Sequence, residues 1–226
     1  MDYDFIAQTD LFDDIPIKGV RQILTCSGAF LKKYKKGQVV FREDEKPEYI
    51  FLLMKGKILV TKNYFSGRRT IFFEIHEKEI FGILIQHKEG ENYWYDAAAV
   101  TDCKVLAIPW KFLFRICPKS CDYHGTLIKN MISVQADSCV SQMKKLHILS
   151  GTTVEAKAAY LMFELADENG ELDFKMNREE LADFLGVTRP SLSRSLMKLQ
   201  TEGYIKIHKS KAKILDYEGL ERVCHK

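Results

Sequence analysis

The hydrophobic period of the chain changes near Trp110, and this change limits the fold more than any other feature. From about Phe30 to Pro109, short runs rich in β-branched and aromatic residues alternate with turn residues at a spacing of roughly 8–12 residues. The runs are QVVFR, YIFLLM, KILVTKNYF, RRTIFFEI, DAAAV and CKVLAIP. Many short strands of this kind predict a β-roll or a jelly-roll-like sandwich. The residues that follow predict helices and a hairpin, so we expect an α+β protein.

A long helix is predicted from about residue 110 to residue 149. Its apolar residues step by four and three along one seam, which comprises Ile132, Ala136, Cys139, Met143 and Leu146. A second apolar stripe comprises Leu127, Met131 and Val134. The presence of two stripes indicates that the second stripe packs on the helix's own domain and that the seam packs on a second copy of the chain. A single broad stripe facing the core is the alternative interpretation.

The Ser-Gly-Thr sequence at 150–152 is typical of a break between domains. It predicts a sensing domain at 1–149, which includes the dimerisation helix at about 110–149, and a second domain at 150–226. Six scattered cysteines and an acidic N-terminus without a signal-peptide pattern favour a cytoplasmic protein. No apolar run is long enough to predict a membrane span.

The second domain carries a helix-turn-helix pattern with its own start and stop signals. Asn177 followed by Glu180 is typical of a helix N-cap, and Gly186 suits the end of that helix. Thr188 is placed to cap a second helix, where Pro190 falls in the first turn. Apolar residues of the second helix recur at Leu192, Leu196 and Leu199 and predict its core-facing side.

Positive charge is concentrated on this pattern. Residues 187–213 contain seven Lys or Arg and a single acid, Glu202. The outward positions of the second helix are Arg189, Ser191, Ser193, Arg194 and Lys198. Arginine can contact both acceptors of guanine in the major groove, and serine can donate to a phosphate or a base. The following YIKIHK-SKAKIL segment predicts a basic hairpin, the wing of a winged helix-turn-helix, and we expect double-stranded DNA as the partner.

The order of these parts resembles the Crp/Fnr family of bacterial transcription regulators. The resemblance rests on YKKGQVVFREDEKPEYIFLLMKGKILV and on LADFLGVTRPSLSRSLMKLQTEGYI. It implies that Arg189, Ser191, Ser193 and Arg194 face DNA, and that Asn177 and Thr188 lie at helix starts that hold phosphates. Pro190 stands where many members carry a glutamate that reads cytosine, so the common half-sites are not expected. The family also makes RNA polymerase a candidate partner.

The resemblance also identifies the residues expected to hold cyclic AMP, and they are missing. Cyclic-nucleotide-binding members carry Phe-Gly-Glu and, ten residues after the Glu, Arg-Ser. Here Ile83 replaces the Glu, and Tyr93 and Trp94 replace the Arg-Ser pair. We therefore expect a signal other than cyclic AMP. A pocket for a small apolar or aromatic effector is one hypothesis, and plain core packing is the other; the residues concerned are Phe81, Gly82, Ile83, Leu84, Tyr93 and Trp94.

Other functions have weaker support in the sequence, and no catalytic residue, metal or cofactor is predicted. Cys26 alone precedes residue 100, which disfavours an iron–sulfur cluster. Cys117 and Cys121 have a spacing that allows a thiol switch. Glu74 and His76 share a strand face and are the nearest approach to a cupin-like metal enzyme. A module that binds RNA or an acidic protein is the remaining alternative.

Overall fold

The computed structural model describes residues 1–64, 69–83, 92–113 and 123–225. The chain divides into two compact units, residues 1–135 and residues 136–226, and each is described by itself. In the part of the chain that the structure describes, no helix is long and apolar enough to cross a membrane.

In its described residues, the first unit contains short N-terminal helices followed by two four-stranded antiparallel sheets. The helices are α1 (Tyr3–Ala7) and α2 (Ile17–Ser27), and the strands are β1 (Phe30–Tyr34), β2 (Val39–Phe41), β3 (Tyr49–Lys55), β4 (Ile58–Asn63), β5 (Arg69–Ile75), β6 (Ile80–Phe81), β7 (Asp96–Ala99) and β8 (Cys103–Pro109). One sheet has the order β1-β8-β3-β6 and the other has the order β2-β7-β4-β5. The predicted β-roll and the α+β class are confirmed.

Strand β8 shows why the roll needs two hydrophobic cores. Leu106 and Ile108 pack into a cluster with the N-terminal helices, whereas Val105 and Ala107 pack into the interior between the two sheets. Because successive side chains of a strand point to opposite faces, a strand covered on both faces must be apolar throughout. This accounts for the nearly continuous apolar run CKVLAIP.

Helix α3 (His124–Leu149) begins later than the sequence predicts. Residues 110–112 form a 3-10 turn, because the N–H of Trp110 donates to the carbonyl of Glu48 (3.1 Å) and that of Leu113 donates to Trp110 (3.0 Å). The prediction of an α-helix from about residue 110 is therefore wrong for these residues. Within the first unit, Leu127 and Met131 of the helix are buried in the cluster with α1 and α2.

The second unit is a small helical domain with a three-stranded sheet. After the end of α3 it comprises α4 (Val154–Leu165), β9 (Glu171–Asp173), α5 (Arg178–Leu185), α6 (Arg189–Thr201), β10 (Ile205–His208), β11 (Lys211–Ile214) and α7 (Tyr217–Cys224). The sheet order is β10-β11-β9. Helix α4 ends at Leu165, where Asp167 closes a turn by accepting from the N–H groups of Asn169 and Glu171.

Candidate nucleic-acid interface

Helix α5 begins and ends where the sequence predicts. The Asn177 side chain accepts from the N–H groups of Glu179 (2.9 Å) and Glu180 (3.0 Å), and the Glu180 carboxylate accepts from the N–H of Asn177 (2.8 Å). This reciprocal capping box satisfies backbone donors that the helix leaves without partners. Gly186 ends the helix at φ 66°, in the left-handed region that glycine enters without steric cost.

Helix α6 begins one short turn later. The Thr188 hydroxyl caps it by accepting from the N–H of Ser191 (3.4 Å), and it also donates to the Ser191 hydroxyl (2.9 Å). Pro190 lies in the first turn, where the missing N–H costs no hydrogen bond. The two helices and the glycine turn between them therefore form the helix-turn-helix that the spacing predicts.

The two faces of α6 differ as expected. Leu192, Leu196 and Leu199 are buried in the core of the second unit. Arg189, Arg194 and Lys198 are exposed, and Ser191 and Ser193 are half-buried. The leucines thus hold the helix against the domain while its polar side chains lie at the surface.

Each exposed cation of α6 has an intramolecular neighbour. Arg189 Nη1 lies 3.5 Å from the Glu179 carboxylate, and Lys198 Nζ lies 3.6 Å from that of Glu155. Arg194 Nη2 donates to the Ser191 hydroxyl at 3.4 Å. The contacts to Arg189 and Arg194 each use one terminal nitrogen, so most guanidinium donors remain for a ligand.

Strands β10 and β11 form the predicted basic hairpin. Lys206 pairs with Lys213 and His208 pairs with Lys211 across the ladder, so these four side chains share one exposed face. The opposite face packs into the core through Ile205, Ala212 and Ile214. Like charges directly opposite each other cost stability, and Glu171 offsets part of that cost by pairing with Lys213 (3.1 Å). The three lysines of this face suit a polyanion.

Hydrogen bonds from neighbouring segments hold the turn of the hairpin. The Ser210 carbonyl accepts from the N–H of Phe174 (2.9 Å), and the Lys209 carbonyl accepts from Arg178 Nη2 (3.2 Å). A backbone hydrogen bond from Lys175 and a side-chain hydrogen bond from Ser210 lower the pKa of the Asp173 carboxyl. Partial burial lowers the pKa of the Arg178 guanidinium. Sequence reasoning missed Arg178 and Glu179, because neither belongs to the apolar spacing or to a cap.

The predicted dimerisation seam of α3 is exposed in the single chain. Every residue from 136 to 144 is exposed. The large apolar side chains among the exposed positions are Ile132 (64%), Val140 (50%), Met143 (69%) and Leu146 (68%). Near the end of the helix, Ile148 packs into the core of the second unit and Lys144 pairs with Glu164 (2.6 Å).

The predicted effector residues lie in two environments. Phe81 and Tyr93 are buried between the sheets, where Tyr93 stacks on Phe41 with ring centroids 3.8 Å apart. The Tyr93 hydroxyl donates to the carbonyl of Gly82 (3.1 Å), and burial raises the pKa of Tyr93 above its usual value.

The remaining effector residues lie away from this stack. Trp94 is 53% exposed and packs against Phe72 at the surface, with ring centroids 5.0 Å apart. Ile83 contacts the cluster under the N-terminal helices, and Leu84 lies outside the described residues. A cleft of about 540 Å³ opens elsewhere, between β1 and β2, and its walls include Lys32, Tyr34 and Arg42.

The residues considered for a metal enzyme or a thiol switch are placed as follows. Glu74 lies 3.6 Å from His76 Nε2, and the same carboxylate oxygen accepts from Lys57 Nζ at 2.8 Å. Among the described residues, no three His, Cys, Asp or Glu side chains come together as a metal site. Cys117 and Cys121 lie outside the described residues.

Two family models match separate parts of the chain. Residues 31–120 match the cyclic nucleotide-binding domain, and residues 156–223 match the Crp-like helix-turn-helix domain. Over 199 residues the chain is 24% identical to the nitrogen fixation regulation protein FixK of Azorhizobium caulinodans, covering 84% of this chain and 77% of that protein. It is 23% identical to the cyclic AMP receptor protein of Thermus thermophilus, covering 84% and 86%.

Solved structures show the same fold at low identity. The catabolite activator protein of Thermus thermophilus superposes with a TM-score of 0.52 at 19% identity, covering 96% of this chain and 99% of that one. A CooA mutant from Carboxydothermus hydrogenoformans superposes with a TM-score of 0.58 at 17% identity, covering 88% and 89%. At these identities, the likeness establishes the fold.

Proposed function

This chain belongs to the Crp/Fnr family of transcription regulators, and we propose that it binds specific double-stranded DNA sites as a homodimer under the control of a signal other than cyclic AMP. It acts in the cytoplasm, catalyses no reaction of its own, and has RNA polymerase as its protein partner. The observation that carries the proposal is the outward face of α6, where Arg189 and Arg194 are exposed in the same unit as the basic hairpin.

The face of α6 has the chemistry for reading base pairs. The major groove of B-DNA admits one α-helix, and an arginine in it can donate to both acceptors of guanine. Arg189 and Arg194 lie five positions apart near the start of α6, with Ser191 and Ser193 between them. The lysines of β10 and β11 and the capped helix starts at Asn177 and Thr188 supply phosphate contacts, which position the protein without reading sequence. Lys198 adds a further cation on the same helix.

The seam on α3 supplies the dimer interface. Residues spaced by four and three along a helix form the contact surface of a two-stranded coiled coil. The seam residues Ile132, Met143 and Leu146 are largely exposed in one chain, so a second copy would remove apolar surface from water. A symmetric pair would present two α6 helices to successive major grooves, about 34 Å apart.

The described residues that replace the cyclic-nucleotide contacts do not supply the chemistry that cyclic AMP needs. A buried phosphate requires a cation or several donors, but Tyr93 stands at the position of the arginine, and its hydroxyl is engaged with Gly82. The aromatic rings around Phe81 and Phe41 favour a small apolar or aromatic effector for this part of the roll, where Trp94 is exposed. Added cyclic AMP should therefore leave DNA affinity unchanged.

Selection of bound sequences from random duplex DNA tests the central proposal. A dimer that reads bases should enrich two inverted half-sites whose centres lie about one helical turn apart. Arg194→Ala should weaken binding to the selected duplex by roughly 5- to 150-fold more than to a scrambled duplex, since one two-point base contact is worth about 1–3 kcal/mol. Arg222→Ala is the matched control, because Arg222 is an exposed arginine of the same unit on α7.

Two outcomes would contradict the proposal. Equal losses on the selected and scrambled duplexes would show that Arg194 contacts only the phosphate backbone. Tighter binding to single-stranded RNA than to any duplex would favour the RNA-binding alternative.

A further inference from the structure

We infer that Arg178 is a positioning residue that sets the place of the basic hairpin, and that it acts on DNA through the hairpin and not by touching DNA itself. The inference rests on the proposed DNA-binding function and deepens it. Arg178 is the first residue of α5, next to the capping Asn177, yet its guanidinium is directed at the turn between β10 and β11.

The turn needs to be held because its backbone is strained. Lys209 adopts φ 56°, a left-handed conformation that costs energy for a residue with a Cβ. Arg178 Nη2 donates to the carbonyl of this same residue at 3.2 Å. A guanidinium is planar and carries several donors in a rigid arrangement, so it orients a carbonyl better than a flexible ammonium does. The bond is therefore directed at the residue whose conformation most needs support.

Two further contacts hold the other side of the turn. The N–H of Phe174 donates to the Ser210 carbonyl, and the Asp173 carboxyl receives a hydrogen bond from the Ser210 side chain. The segment that leads into α5 thus fixes Ser210, and α5 itself fixes Lys209. The partial burial of Arg178 shows that its charged group lies within the domain surface rather than extending freely into water.

The position of the turn decides where the lysines of the hairpin lie. Lys209 is at the turn, and Lys206, Lys211 and Lys213 lie on the exposed face of the two strands. If the turn moves away from α5, these cations move away from the phosphates that α5 and α6 approach. Arg178 therefore couples the hairpin to the helix-turn-helix, so that both meet one stretch of duplex together.

The test measures duplex affinity against salt concentration for Arg178→Gln, with Arg222→Gln as a control of equal charge change on the exposed surface of α7. For each phosphate contact, the logarithm of the affinity for DNA falls by about 0.9 for a tenfold rise in salt concentration. Loss of one or two contacts should make the salt slope shallower by about one to two and weaken low-salt binding roughly three- to tenfold. The affinity for the selected duplex and the affinity for the scrambled duplex should fall equally, because phosphate contacts carry no sequence information. Arg178→Lys should recover part of the loss.

A double-mutant cycle separates action through the hairpin from direct contact with DNA. In a lysine-free hairpin, in which glutamine replaces Lys206, Lys209, Lys211 and Lys213, Arg178→Gln should weaken binding no more than Arg222→Gln does. Hydrogen exchange supplies a readout in the free protein: the Phe174 amide should exchange faster in Arg178→Gln than in Arg222→Gln. An undiminished effect of Arg178→Gln in the lysine-free hairpin would overturn the inference, and so would unchanged exchange at Phe174.

Failure of the inference is distinguishable from failure of the proposed function. If the wild-type chain binds duplex DNA and the lysine-free hairpin weakens that binding, but Arg178→Gln behaves like Arg222→Gln, the inference alone is wrong. If the wild-type chain shows no affinity for duplex DNA, the proposed function is wrong and the inference falls with it.

Discussion

Substitution of Leu146 by alanine should separate the two copies of the proposed dimer. Leu146 is 68% exposed in one chain. Burying a leucine side chain completely is worth about 1.5–3 kcal/mol, so covering the exposed two thirds contributes about 1–2 kcal/mol. The substitution removes this free energy of burial from both copies of a symmetric dimer, a total of about 2–4 kcal/mol. The dissociation constant of the dimer should therefore rise roughly 30- to 700-fold.

Sedimentation equilibrium over a dilution series measures this change directly, because the monomer has a mass of 26.2 kDa. The matched control is Leu215→Ala, since Leu215 is 56% exposed and lies after β11, outside the seam. A wild-type chain that stays monomeric at every concentration would refute the reasoning. So would a shift in Leu146→Ala no larger than that in Leu215→Ala.

Two further predictions concern helix α6 and the roll. Glu179→Gln should lower the preference for the selected over the scrambled duplex about two- to fivefold, because the exposed ion pair holds Arg189 in place before DNA arrives. Asp183→Asn is the control on the same helix, and an equal preference in both variants would show that Glu179 does not orient Arg189. Burial raises the pKa of Tyr95 from 10.0 to about 12, so the fold favours the neutral phenol. The stability that this contributes is complete below pH 10 and is lost as pH rises towards 12. Because Tyr95 ionises near pH 12, Tyr95→Phe should remove a phenolate absorbance step near that pH. Removal of a step near pH 10 would contradict the assignment.

The parts of the interface that the sequence predicted correctly depend on short-range interactions. The capping box joins Asn177 to a residue three positions away, and Thr188 caps α6 over the same distance. Gly186 ends α5 because of its own backbone freedom, and the leucines of α6 follow the helical period. Each of these depends on a few consecutive residues, so a single sequence contains the information needed to place it.

The error at the start of α3 arose where a distant segment took a backbone group that a helix would have used. The Trp110 N–H donates to the Glu48 carbonyl, so residues 110–112 form a 3-10 turn instead of starting an α-helix. Apolar period records only which side chains prefer to leave water, and it does not record which carbonyl a given N–H will meet.

The sequence by itself determined the order of roll, long helix and winged helix-turn-helix, because apolar period, glycine turns and local caps act within a few residues. The tertiary structure alone decided that Arg178 meets the Lys209 carbonyl, that Glu179 meets Arg189 and that Tyr93 lies stacked on Phe41. Charged and aromatic side chains are long, and each can reach several alternative partners that the local sequence pattern does not distinguish. Only the packing of distant segments selects one partner, and that selection gives the surface its binding geometry.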